Sequence, residues 1–154
     1  MAKKVLKVIG ILVLIGIAGF VLIQLVPYGR VHTNPPVLQE PQWDSPATRA
    51  LAARACFDCH SNETKWPWYS NVAPASWLVA HDADEGRSRL NFSEWGPPSR
   101  GGERGEGGGG VDEVAEVIAT GQMPPAQYLL MHPEARLSDA EKQQLIQGLQ
   151  ASLK

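Results

Sequence analysis

The short run Cys56-Phe57-Asp58-Cys59-His60 constrains the fold of this 154-residue chain more than any other feature. It holds both cysteines of the sequence, and a histidine directly follows the second. Two thiols about one helical turn apart can reach vinyl groups on one porphyrin edge and form thioethers, and the next residue directs an imidazole at the iron. The pattern therefore predicts one covalent haem c, with Cys56 and Cys59 as attachment points and His60 as the proximal iron ligand.

Other uses of this pattern fit the sequence less well. A redox dithiol is typical of a thioredoxin-like βαβ context, which the sequence does not indicate. A structural zinc site needs a second ligand pair of similar spacing, and His32, His81 and His132 do not form one. A disulfide-stabilised secreted domain normally has more cysteines at wider spacing. We therefore prefer the haem interpretation.

The N-terminal part predicts a membrane anchor. Nineteen residues, Val8 to Val26, carry no charge, and a helix of that length spans about 28 Å, close to the hydrocarbon thickness of a bilayer. No small-x-small cleavage site follows, which favours an uncleaved anchor over residues 1–26. The apolar run is preceded by Lys3, Lys4 and Lys7. These lysines predict a single pass through a bacterial inner membrane with the C-terminal domain in the periplasm.

The rest of the chain predicts an all-α, cytochrome c-like domain at residues 45–154, preceded by a proline-rich tether at residues 27–44. Ser45 and Pro46 suit the N-cap and first position of a helix that continues to Ala55. A second helix is expected from about Pro74 towards Leu90. No segment favours a β-strand.

Further along, the glycine-rich stretch 96–110 predicts a flexible surface loop. Apolar residues at helical spacing predict a helix over Val111–Ala119 that ends near Gly121. A capping box, Ser138 with Glu141, marks the start of the last helix.

The sixth iron ligand has several candidates. Met123 lies after a predicted helix and before two prolines, which would hold its thioether on a stiff loop. His81 competes, because it lies four residues after Trp77 and shares a helical face with it. Met123 could instead be core filler and His81 a structural residue. An open position also remains possible, and of these alternatives we favour Met123.

Aromatic residues are concentrated soon after the CxxCH run. A wall of such side chains on the porphyrin would exclude water and tune its potential, whereas the alternative is an ordinary small-domain core. The candidates for haem packing are Trp66, Trp68, Tyr69 and Trp77.

Charge excludes one class of partner. After the apolar run the chain has 11 basic and 16 acidic residues, which gives a formal net charge of −5. We therefore expect no basic surface that could bind nucleic acid. The expected partners are the lipid bilayer and a redox protein, donor or acceptor, at the membrane. The oligomeric state does not follow from the sequence.

Several longer runs resemble the haem-binding-domain proteins, a bacterial monohaem cytochrome family related to class I cytochromes c. The resemblance covers about residues 36–149 and is carried by residues 56–70 (CFDCHSNETKWPWYS), residues 90–95 (LNFSEW), Met123-Pro124-Pro125 and residues 132–138 (HPEARLS). It implies thioethers at Cys56 and Cys59, with His60 proximal and Met123 distal. The glycine-rich tract 101–110 is longer than the family pattern suggests.

These features together predict electron transfer and no enzymatic activity, because two axial ligands leave no open iron position. The alternatives are a haem-based sensor or peroxidase-like protein with a labile sixth ligand, and a haem subunit of a larger membrane complex.

Overall fold

The structure, a computed structural model, describes residues 1–95 and 110–153. Apart from Gly110, the predicted loop 96–110 lies outside these residues. Within them the chain is all-helical, and the single β feature is an isolated parallel bridge between Gln39 and Glu94. The predicted all-α fold class is confirmed.

The described residues form seven α-helices and two 3₁₀ helices. The α-helices are α1 (Ala2–Ile23), α2 (Pro46–Ala55), α3 (Phe57–His60), α4 (Ala75–Arg89), α5 (Val111–Ala119), α6 (Ala126–Met131) and α7 (Asp139–Ser152). The 3₁₀ helices are Trp68–Asn71 and Pro133–Ala135.

Local capping explains the helix ends that the sequence predicts. Ser45 caps α2 by accepting a hydrogen bond from the Thr48 N–H, with Pro46 at the first helical position. The capping box of Ser138 and Glu141 opens α7 as expected. After α5, Gly121 adopts a φ of +74°, which glycine reaches without steric cost. The short helices α3 and α6 were not predicted, because they are too short to show periodicity.

By its contacts the chain divides into two compact units, described separately here. The first unit contains residues 1–33 and 66–82. Its helix α1 has a mean hydropathy of 2.8 and no buried residue, so it is long and apolar enough to cross a membrane. A signal sequence would share these properties.

The second unit contains residues 34–65 and 83–154 and holds the hydrophobic core. Fully buried Phe92, Leu145 and Leu149 lie at its centre. Trp43, Phe57 and Phe92 form an aromatic group, with ring centroids 5.4–6.1 Å apart. Burying each large side chain contributes about 1.5–3 kcal/mol, so this core positions the residues around Phe57.

The proline-rich stretch 27–44 contains no helix. Its later part, residues 34–44, belongs to the second unit. There the N–H groups of Leu38 and Gln39 donate to the Ser93 carbonyl at 2.9 and 3.1 Å. The Trp95 N–H in turn donates to the Gln39 carbonyl at 2.8 Å. The division of the chain into anchor, tether and haem domain stays a prediction.

Candidate functional site

The CxxCH run folds as one helical turn directly after α2. The N–H groups of Cys59 and His60 both donate to the Cys56 carbonyl, at 3.2 and 2.9 Å. Phe57, the second residue of the run, is only 4% exposed and joins the aromatic core. Packing of Phe57 therefore fixes the turn, on which both cysteines are half-buried.

The His60 imidazole is oriented by two backbone carbonyls. Its Nδ1 lies 3.0 Å from the Gly86 oxygen and 3.1 Å from the Leu90 oxygen. Carbonyl oxygens only accept, so Nδ1 carries the hydrogen, and the lone pair is left on Nε2. Burial lowers the pKa of His60, although the two hydrogen bonds oppose this shift. The side chain is thus a neutral, oriented imidazole, as an iron ligand requires.

Gly86 lets helix α4 approach the run closely. A Cβ added at this position would lie 2.9 Å from both the carbonyl carbon and the Cβ of Cys59, and closer still to the Cys59 oxygen. Any larger residue would push α4 away from the CxxCH turn and move the carbonyl that orients His60. The sequence analysis missed this role, although a glycine inside a helix often has a packing reason.

The chain leaving His60 is also held in place. The Phe92 N–H donates to the His60 carbonyl at 2.8 Å. The Arg87 guanidinium donates to the Ser61 carbonyl through Nε and to the Thr64 hydroxyl through Nη2, both at 2.9 Å. Residues 83–95 thus bracket the CxxCH turn and its exit.

The Cys56 thiol lacks the lowered pKa that is typical of a reactive cysteine. Burial, and then the neighbouring Cys59, raises the pKa of Cys56 to about 12, whereas reactive thiols have a lowered pKa. Among the residues the structure describes, no group of three or more His, Cys, Asp or Glu side chains could hold a metal ion. One His with two neighbouring thiols suits a group that reacts with thiols and needs one protein nitrogen.

Asp58, inside the CxxCH run, links it to helix α6. Its Oδ1 accepts from the Lys65 N–H at 3.0 Å, and its Oδ2 accepts from the Tyr128 hydroxyl at 2.7 Å. The Tyr128 ring stacks on His132, with centroids 4.1 Å apart. Burial and this hydrogen bond strongly raise the pKa of Tyr128. Sequence reasoning missed both Asp58 and Tyr128, since nothing in the pattern signals a contact seventy residues apart.

Met123 follows α5 by four residues and precedes α6. Its N–H donates to the Val117 carbonyl at 3.0 Å, and its side chain is 38% exposed. Because α6 begins at Ala126 and its Tyr128 bonds to Asp58, the loop of Met123 and the CxxCH run lie in the same unit and are joined. The assignment of Met123 as a ligand stays a prediction.

The remaining candidates belong to the first unit. The Trp66 ring stacks on His32 with centroids 4.8 Å apart, and Tyr69 meets Trp68 edge-on. Trp68 is 74% exposed, and His81 is an exposed residue of α4. Trp77 is half-buried, and its Nε1 has no acceptor among the described residues. Their predicted roles, in haem packing and as the alternative distal ligand, are not tested by this unit's geometry.

Comparison with known families identifies the family of the chain. The family model described as the haem-binding domain matches residues 18–151, most of the chain. The chain belongs to this haem-binding-domain family. No curated protein and no solved structure matches it.

The residues present fit a haem. His60 offers an unprotonated Nε2 whose direction is set by the Gly86 and Leu90 carbonyls, and two thiols lie on the same turn. A metal-ligating histidine usually donates its other ring N–H to such an acceptor, which fixes its tautomer. We conclude that this is a haem-binding protein, and the turn of Cys56, Cys59 and His60 is the haem site that we propose below.

Proposed function

We propose that this protein is a membrane-anchored monohaem c-type cytochrome that transfers electrons on the periplasmic side of a bacterial inner membrane. The proposal rests chiefly on one observation: a neutral His60 imidazole, oriented by two carbonyls, follows two thiols on one helical turn. A bound haem supplies one-electron exchange between Fe(III) and Fe(II).

The chain's own residues would hold and shield that group. The Cys56 and Cys59 thiols would attach to its vinyl groups, and the His60 Nε2 would bind one axial position. Since Nδ1 donates to carbonyls, the imidazole keeps its orientation and gains basicity. Met123 would bind the second axial position, which favours electron transfer over catalysis because no site for a substrate remains.

Attachment is tested by expressing the chain with a c-type maturation system and staining denaturing gels for haem peroxidase activity. We expect a stained band at 16.7 kDa. The double variant Cys56→Ala/Cys59→Ala should lose the stain, and Met131→Ala, at an exposed position outside the CxxCH run, should keep it. Persistence of the stain in the double variant would refute covalent attachment.

Topology needs a separate experiment. A reporter fused after Lys154 that is active only outside the cytoplasm should be active, because Lys3, Lys4 and Lys7 precede the apolar helix. A soluble periplasmic product that lacks α1 would show a cleaved signal instead of an anchor.

The main alternative function is a sensor or peroxidase-like protein with a labile sixth ligand. Carbon monoxide binding by the reduced protein at neutral pH separates the two, since a firmly bound Met123 would resist displacement. Co-purification of other membrane proteins would indicate a haem subunit of a larger complex.

A further inference from the structure

The end of the apolar helix α1 is bonded to a second segment of the chain. The Gln24 side chain pairs with the Ala73 backbone in both directions: Nε2 donates to the Ala73 carbonyl at 2.9 Å, and Oε1 accepts from the Ala73 N–H at 3.0 Å. Gln24 directly follows α1. Ala73 therefore lies one side-chain length from the end of the apolar helix.

Two further contacts bring the same segment to the residues after α1. Gly29 has a φ of +75°, and a Cβ there would lie 2.7 Å from the Ser76 carbonyl carbon and 3.2 Å from the Ala80 Cβ. His32 bonds through Nε2 to the Ser70 carbonyl at 3.0 Å and stacks on Trp66. Residues 66–80, which we call the interface segment, thus contact residues 24–32 at three places.

The composition of the interface segment is unusual for a water-exposed surface. Its fifteen residues contain no Asp, Glu, Lys, Arg or His, and they include three of the five tryptophans of the chain. Trp68 is 74% and Leu78 is 51% exposed. Tryptophan and tyrosine are enriched where a bilayer meets water, since their rings are apolar and their tips polar.

The length of α1 places this segment at a defined depth. The charge-free part of the helix, Val8–Ile23, spans about 24 Å, somewhat less than the roughly 30 Å of hydrocarbon. The helix ends before the apolar run does, and the next residues include Leu25, which is 75% exposed, and Tyr28, which is 50% exposed. If α1 crosses the bilayer, Gln24 and the bonded Ala73 lie near the boundary between the hydrocarbon and the headgroups.

We propose that the interface segment contacts the membrane surface, with Trp68 and Leu78 placed among the phospholipid headgroups and upper acyl chains. We call this membrane-contacting surface the seat. This inference rests on the proposed anchor, because α1 sets the depth. The occupant is lipid because the segment is uncharged, aromatic and bonded to the end of the apolar helix. The three contacts would hold this part of the chain at the bilayer surface, where a membrane redox partner is met.

The test uses the full chain, one copy per nanodisc, with phosphatidylcholine that carries a diazirine high in its acyl chains. After photolysis, mass spectrometry should find lipid adducts both in α1 and in residues 66–80. The peptide with Leu130 and Met131, which are 75% and 55% exposed in the other unit, should stay unlabelled. With one copy per disc, a second copy of the chain can neither shield residues 66–80 from lipid nor change their labelling by contact.

A pair of glycine variants sharpens the test. Gly29→Ala puts a methyl group against the Ser76 carbonyl and should reduce labelling of residues 66–80 several-fold while α1 stays labelled. Gly121→Ala imposes the same backbone strain, at a φ of +74°, with nothing within 4 Å of the added Cβ. It should leave the labelling unchanged.

The outcomes separate the two proposals. Labelling of α1 without labelling of residues 66–80 overturns the seat and leaves the anchor intact, with Trp68 free for haem packing or a protein partner. Absence of labelling from α1 overturns the anchor, and the seat with it. Equal labelling of residues 66–80 in wild type and Gly29→Ala overturns the claim that the three contacts hold the seat.

Discussion

The two halves of the candidate haem site are held very differently. The motif segment, residues 56–65, donates to the Gly86 and Leu90 carbonyls through His60 and accepts from the Arg87 side chain and the Phe92 N–H. The methionine loop, residues 120–125, bonds mainly to the neighbouring helix α5: the N–H groups of Thr120, Gly121 and Met123 all donate to its carbonyls. It reaches the motif segment through Tyr128. The difference indicates that His60, the proposed proximal ligand, is held by a distant part of the chain, whereas the loop of Met123, the proposed distal ligand, is held mainly by its neighbouring helix.

The strongest test of this comparison removes the distal side chain. Met123→Ala should keep covalent haem, because the motif segment is untouched, but lose the sulfur ligand. The weak far-red absorption near roughly 700 nm should disappear, and the reduced protein should bind carbon monoxide. The potential should fall, within the range of about 0.8 V that axial ligands span. Optical spectra and redox titration measure these changes.

His81→Ala is the matched control, because His81 is the competing ligand candidate and an exposed residue of α4. We expect the same spectrum, potential and resistance to carbon monoxide as in wild type. If His81→Ala binds carbon monoxide and Met123→Ala does not, the site has two histidine ligands and the distal assignment is wrong.

The second prediction disturbs the motif segment. Gly86→Ala forces a methyl group against Cys59 and should lower the free energy of unfolding by up to about 3 kcal/mol, despite a helix-propensity gain of about 1 kcal/mol. Because the Gly86 carbonyl orients His60, the yield of attached haem should fall as well. Urea unfolding and haem staining per mole of chain measure the two effects.

Ser88→Ala in the same helix controls for helix propensity, since Ser88 is exposed. It should change stability by less than about 0.5 kcal/mol and leave the haem yield unchanged. Equal behaviour of the two variants would show that α4 does not constrain the CxxCH turn.

The difference between local and long-range contacts also shows what could be predicted from the sequence alone. Helices α2, α5 and α7 were predicted because their capping residues and periodicity are local signals: Ser45, Gly121 and Ser138 each act within one turn. Cys56, Cys59 and His60 were predicted as a haem site because thioether chemistry fixes their spacing, and that assignment stays a prediction. Local patterns therefore sufficed for the helix ends that one turn of chain determines.

Long-range supports were not predictable from these patterns. Gly86 matters through its approach to Cys59, twenty-seven residues earlier, and Tyr128 through Asp58, seventy residues earlier. Neither the periodicity of a helix nor a motif reports which distant backbone comes close.

The third prediction weakens the described link between the two halves. Tyr128→Phe removes the hydroxyl that donates to the Asp58 carboxylate and should cost about 1.5 kcal/mol of stability. Haem attachment should stay complete, because His60 keeps both carbonyl partners. The methionine loop should be held less firmly, so carbon monoxide should bind faster than in wild type but more slowly than in Met123→Ala.

Tyr28→Phe makes the same chemical change at a residue of the other unit that is 50% exposed. It should leave both stability and carbon monoxide binding unchanged. A Tyr128→Phe protein with wild-type binding kinetics would show that the Asp58 bond does not position the methionine loop.

The smallest expected effect concerns acid stability on the motif side. Backbone donation from Ser138, the Arg54 guanidinium and the Ser138 hydroxyl lower the pKa of Glu141 to about 2. Arg54 lies two residues before Cys56, and its bond to Glu141 at 2.5 Å joins α2 to the start of α7. A folded-state pKa below the usual 4.5 means that ionised Glu141 stabilises the fold above about pH 4.5 and loses this effect as pH falls towards 2.

Glu141→Gln should therefore be less stable than wild type at pH 7, and the two urea midpoints should converge as pH falls from 4.5 to 2. The gap should narrow in high salt, because the guanidinium and carboxylate are partly exposed and their attraction is screened. Glu116→Gln, at an exposed position of α5, should follow the wild-type curve at every pH. A gap between wild type and Glu141→Gln that stays constant down to pH 2 would mean that the charge of Glu141 contributes nothing, and that α2 and α7 are held together by their apolar packing alone.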